Sequence, residues 1–171
     1  MSLFDPQQER LLDDLRSHFH LMKYADISKK VDSLVTINEI VCNLNEQTIS
    51  VMQKAANELI SAFVHLINEV FEVPLEKMNV KFVKYFMTIV VKICSSRDLM
   101  NHVCYEMVFA LAQQLLTRLM IEGLEKVGDN LEGDQIQKNL NSSMLRVLEN
   151  CNHTYLICSL FDLQTLHNGQ D

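Results

Sequence analysis

The side chains with chemical potential in this chain of 171 residues are six histidines, His18, His20, His65, His102, His153 and His167, and five cysteines, Cys42, Cys94, Cys104, Cys151 and Cys158. A structural zinc site needs four such ligands converging at short spacings. His18 and His20 are the only histidines close together, and positions two apart on a helix point about 200° away from each other. Cys151 and His153 form a C-x-H pair with no second pair at ligand spacing. Four of the cysteines fall inside apolar helical patterns, where a thiol packs as a small hydrophobe. An odd count without a disulfide-like framework reads as a reduced, intracellular chain. Acid pairs such as Asp13 and Asp14 lie on the polar side of a helical pattern and read as solvation. No nucleophile elbow, phosphate-binding glycine loop, H-E-x-x-H or paired C-x-x-C is present. The expectation is no catalytic residue, no metal, no cofactor and no enzymatic activity.

Charge carries one further pattern. Lys77, Lys81, Lys84 and Lys92 are offset by 4, 7 and 15 residues, which places them within a stripe of about 80° on a helix. Arg97 follows in the adjoining turn, and Glu76 is the only acid between Glu76 and Arg97. Two readings stand: the cations solvate the single exposed strip of a mostly buried helix, which is the simpler one, or they face an acidic partner. Overall, 15 basic against 22 acidic residues give a net charge of −7. That sign argues against binding nucleic acid through the overall field. No apolar run approaches a membrane span, and the start Met1-Ser2-Leu3-Phe4-Asp5 lacks a signal-peptide layout. The sequons at Asn141 and Asn152 would matter only in a secreted protein and read as chance. The chain is expected to be soluble and cytoplasmic, with no nucleic acid and no membrane among its partners.

The elements that must position these residues are helices. With 48% apolar residues but only four glycines and two prolines, a turn-rich sandwich or barrel is nearly excluded. Asp5-Pro6 opens a first helix whose Leu11, Leu12, Leu15, Phe19 and Met22 share one face. A second starts near Asp26, and a long third runs from Asn45 to Pro74. The two most apolar follow, about Glu76 to Cys94 and Asp98 to Leu124, and belong in the middle of the structure. A glycine-containing acidic loop leads to helices from about Asp134 to Glu149 and Thr154 to Leu166. Hairpins beginning near Asp26, Glu76 and Asp134 repeat every 50 to 58 residues, somewhat longer than HEAT units. Their turns are Asn43-Leu44-Asn45, Ser95-Ser96-Arg97 and Asn150-Cys151-Asn152. The fold class is therefore all-α: stacked helical hairpins in a HEAT-like array of about six to seven helices, amphipathic at its ends. Residues 1–24 form an N-terminal helix and possible cap, 25–168 the array as a single domain, and 169–171 a tail. A closed four-helix bundle is the competing architecture. In the array the turns line up along one edge. Asn43, Asn45, Asn150 and Asn152 there read equally well as a partner-binding row or as helix caps.

From about Lys23 to Leu163 the chain resembles a TOG-type helical array, and within that group the region after the fifth TOG domain of the ch-TOG / Minispindles family of microtubule polymerases. The stretch that carries the resemblance is Asp129-Asn130-Leu131-Glu132-Gly133-Asp134-Gln135-Ile136, followed by Leu145-Arg146-Val147-Leu148-Glu149 and Asn152-His153-Thr154. The Glu106 to Leu124 segment, with Leu115-Leu116-Thr117-Arg118-Leu119, is also similar. The resemblance implies an atypical, sixth TOG-like domain of a protein acting in microtubule plus-end growth and in spindle and centrosome organisation. It also implies TACC-type coiled-coil adaptors as partners and a place on the cytoskeleton, spindle and centrosome. TOG domains hold tubulin along the turn edge with a tryptophan and basic residues. This chain has no tryptophan, its three turns offer only Arg97 as a cation, and its charge repels acidic tubulin. Adaptor docking, or docking of neighbouring segments of the same chain, is the function these features favour. Weak electrostatic binding of tubulin or the microtubule lattice through the Lys77–Lys92 stripe is the alternative.

Overall fold

A computed structural model describes residues 5–129 and 131–168, without the side chains of 166–168; the tail 169–171 lies outside the described residues. It is all-helical, as the composition requires, and the helices pack as an array of hairpins. In chain order they are α1 (Pro6–Tyr24), α2 (Ile27–Cys42), α3 (Glu46–Lys54), α4 (Ala56–Glu72), α5 (Val80–Cys94), α6 (Arg97–Met100), α7 (Tyr105–Leu119), α8 (Glu132–Asn150) and α9 (His153–Asn168).

Short-range chemistry sets many of the ends. Asp5 accepts from the backbone N–H of Gln7 and Gln8, with Pro6 in the first turn of α1. Asp26 caps α2 through Lys29 N–H. Asn45 and Thr48 exchange bonds as a capping box on α3.

The number of helices is nine among the described residues, not six or seven. The third expected helix breaks at Ala55, where Gln53 reaches across to the Asp98 carbonyl at 3.2 Å. The fifth is split into α6 and α7: His102 bonds back to the Asp98 carbonyl at 2.8 Å, and Asn57 of α4 accepts from the Cys104 N–H at 2.7 Å. Each interruption lies beside a hydrogen bond to a residue 45 or more positions away. The fourth begins at Val80 rather than Glu76, because Leu75–Lys77 forms a separate 3-10 turn.

Two layers result. In one, α1 packs on α4, α4 on α7, and α7 on α9; in the other, α2 packs on α5 and α5 on α8. The layers join where α1 meets α2, where α7 meets α8, and where Phe63 of α4 meets Phe86 of α5 edge-to-face at 5.5 Å. The hairpins are thus phased α1/α2, α4/α5 and α7/α8, one helix earlier than the turn spacing suggests. The N-terminal helix is built into this scheme, with Leu12, Leu15, Phe19 and Met22 in the core. Helix α5 is flanked on both sides and covered by the other layer, so Phe82, Val83, Phe86, Met87, Ile89, Val90, Ile93 and Cys94 are all buried.

The last helix departs from the expected amphipathic end. Ile157 and Phe161 are 54% and 64% exposed, on the flank of α9 turned away from Tyr105 of α7, which holds Tyr155 and Asp162.

Close backbone approach fixes the start of α8. A Cβ on Gly133 would lie 2.1 Å from the Leu124 carbonyl oxygen, and its N–H donates to the Val127 carbonyl at 2.9 Å. No side chain larger than hydrogen fits there.

Candidate partner-binding surfaces

The three turns expected to align do so. Val41, Cys42 and Leu44 share one depression with Lys92, Ser95 and Ser96, and Arg97 shares the next with Cys151, Asn152 and His153. The row runs along one end of the helices, from the α2–α3 turn to the α8–α9 turn.

Its asparagines are all engaged in holding helix ends. Asn43 Nδ2 donates to the Glu39 carbonyl at 2.8 Å. Asn45 Oδ1 accepts from Gln47 and Thr48 N–H. Asn150 Nδ2 donates to the Cys94 carbonyl at 3.0 Å, tying α8 to the end of α5, and Asn152 Oδ1 accepts from Thr154 and Tyr155 N–H. The capping role is therefore physically occupied at all four positions. Arg97 stands exposed among them as a cation.

The lysines do not act as one stripe. Lys77 sits in the 3-10 turn before α5, exposed. Lys84 reaches sideways to α8, with its Nζ 2.9 Å from Glu132 Oε1. That ammonium holds the Glu132 carboxyl below the ordinary glutamate range. Lys92 reaches the other way, to Asn38 Oδ1 of α2 at 2.8 Å and Cys42 Sγ at 3.6 Å. Lys81 is exposed. The strip that α5 presents between α2 and α8 thus stitches the second layer together as well as solvating it.

The cysteines divide by burial. Cys94 and Cys151 are buried, and desolvation pushes the first thiol strongly up and the second to about 12. Cys42 and Cys158 are exposed. Among the histidines, His18 shares a 3.2 Å contact with Ser33 Oγ, and His20 and His65 flank the Tyr24 ring at 4.9 and 5.7 Å. The side chain of His167 lies outside the described residues. No group of three or more His, Cys, Asp or Glu with metal-holding geometry occurs among the described residues, and no described helix is long and apolar enough to cross a membrane.

Two surfaces have no counterpart in the sequence reading. One is the exposed apolar flank of α9, where Ile157, Leu160 and Phe161 follow helical spacing; the low contrast between the faces of the 154–166 segment was its available signal. The other is a groove across α1, α4 and α7 in the first layer, lined by Arg16, Lys23, Tyr24, Ser61 and His65 among others. Its residues are scattered over more than 90 positions, so no local pattern marks it.

Compared with known protein families, curated proteins and solved structures, the chain matches none of them.

Proposed function

We propose that the chain is a non-catalytic interaction domain of a microtubule-associated protein of the ch-TOG / Minispindles type, acting in microtubule plus-end growth and in spindle and centrosome organisation. In this reading it docks a TACC-type coiled-coil adaptor, or a neighbouring segment of its own chain, and does not grip tubulin tightly. The observation that carries it is the composition of the aligned turn edge. Its asparagines are spent on helix ends, its exposed cations are Arg97 and Lys92, the second of them bonded to Asn38, and there is no tryptophan. An edge of that kind has little with which to hold an acidic protein. The exposed apolar flank of α9 supplies the opposite chemistry, which suits an amphipathic helix.

Cosedimentation with microtubules and size exclusion with free tubulin, each at low and moderate salt, test this against a pull-down with a TACC coiled coil. Adaptor capture without tubulin binding is the expected result. Tight, salt-resistant tubulin binding overturns it, as does failure to capture any adaptor together with unaltered spindle targeting after deletion.

The alternative is weak electrostatic binding of tubulin through the α5 strip, favoured by the exposure of Lys77, Lys81 and Lys92. It requires binding that falls steeply with salt and disappears when these charges are reversed.

A further inference from the structure

Helix α9 ends the first layer and turns an uncharged face to solvent. Leu160, Ile157, Phe161, Thr154, Thr165 and Cys158 fall within an arc of about 160° around it, and all six are exposed. Asp162, the one charged residue between Thr154 and Leu166, lies outside that arc and is bonded to the Tyr105 hydroxyl of α7. A partner recognised by its charge, acidic or basic, therefore meets no opposite charge on this face. Two copies of the chain, each of net charge −7, repel one another wherever their acids approach. Here they can touch without bringing acids together. The pattern is also self-complementary. Thr154 and Thr165 stand equally far from the midpoint between residues 159 and 160, and so do Cys158 and Phe161.

We propose that α9 is a self-association surface, on which a second copy of this chain docks its own α9 antiparallel about a two-fold axis at that midpoint. Each Phe161 then lies over the other copy's Cys158, Ile157 and Leu160 widen the apolar centre, and each Thr154 faces the other copy's Thr165 at the rim. Antiparallel helices also set opposite dipole ends side by side. A free aromatic side chain carries about 150–250 Å² of surface. At the observed exposures the arc offers on the order of 500 Å² per copy, about 1,000 Å² in the pair, which is where specific interfaces begin. An interface of that size makes a reversible dimer, not an obligate one. Self-pairing needs no microtubule role, and an adaptor helix on the same flank would compete with it.

The test is sedimentation equilibrium of the whole chain between about 1 μM and 1 mM, over which wild type is expected to pass from monomer to dimer. Added salt should strengthen the dimer, because it screens the repulsion between two acidic chains and finds no charge pair at the contact to weaken. Phe161→Asp is expected to weaken association about tenfold or more. Leu160→Lys is the second variant and should act in the same direction; thermal unfolding checks that both still fold. Tyr24→Asp, at a comparably exposed ring on α1, should leave association unchanged. In Cys42→Ser, where Cys158 remains as an exposed thiol, a short bismaleimide should join Cys158 to Cys158 between copies. A monomer at every concentration overturns the proposal, as does a dimer that both α9 variants leave intact, or one that salt dissolves. A chain that stays monomeric yet captures a coiled-coil adaptor would sink the pairing and leave the interaction role standing. A dimer lost in Phe161→Asp, with no adaptor captured, would do the reverse.

Discussion

Lys30 of α2, only 4% exposed, places its ammonium 2.5 Å from both carboxylate oxygens of Glu69 on α4, a residue in the other layer. The two partners are not equivalent, since the Glu69 side chain is 47% exposed and that of Lys30 5%. Removing the acid strands a buried charge, while removing the lysine frees a carboxylate that water can reach. Glu69→Ala is therefore expected to cost about 2 kcal/mol of folding stability, and Lys30→Met much less. Urea unfolding of the two variants checks the order; equal losses would refute the asymmetry.

Gly133 and Gly123 differ in what a methyl group would meet. At Gly133 it would fall 2.1 Å from a backbone oxygen, whereas at Gly123, with φ at +79°, the nearest atom is 4.0 Å away. The first is a collision with main chain and the second a conformational penalty. Gly133→Ala is expected to cost about 3 kcal/mol or more, and Gly123→Ala about 1 kcal/mol. Thermal unfolding of the pair separates them.

The Glu132–Lys84 pair makes a prediction in acid. Lys84 lowers the folded carboxyl's titration below its unfolded value, so the stability it adds is present above the ordinary glutamate range and is lost as pH falls through the folded value. Glu132→Gln should be less stable than wild type near neutrality, and the gap should close below about pH 4. Chemical denaturation across that range reads it directly. A gap independent of pH would mean that packing, not charge, makes the difference.

Thiol reactivity follows burial. Iodoacetamide at about pH 8 should label Cys42 and Cys158 in the native protein, and reach Cys94 and Cys151 only after denaturation. Peptide mass spectrometry gives the order. Early labelling of Cys94 would show that the α5–α8 contact opens readily.

The helices whose ends are local events were legible in the sequence. Asp5, Asp26, Asn45 and Asn152 sit beside the N–H groups they cap, so their spacing alone announces them. The break at Ala55 and the 101–104 turn were not, because the bonds beside them, Gln53 to the Asp98 carbonyl and the Cys104 N–H to Asn57, join residues that only folding brings near. Hairpin phase was hidden for a similar reason. A regular turn spacing fits either pairing of successive helices, and the α1–α2 and α7–α8 contacts decide between them. The candidate lysines shared one stripe on paper, yet Lys84 and Lys92 lean to opposite flanks. A long flexible side chain answers to its neighbours as much as to its position on the wheel.

Because α1 leans on α4, α4 on α7 and α7 on α9, force applied at one end of the first layer reaches the other only through intermediate contacts. Such a row bends by summing small rotations, so it yields under tension as a spring does rather than resisting as a block. The weakest coil of that spring is the last. Helix α9 is held chiefly by α7, with the Tyr105 hydroxyl bonded to Asp162 at the seam. A pull along the stack would peel that helix first, and the domain would lengthen before it lost its core.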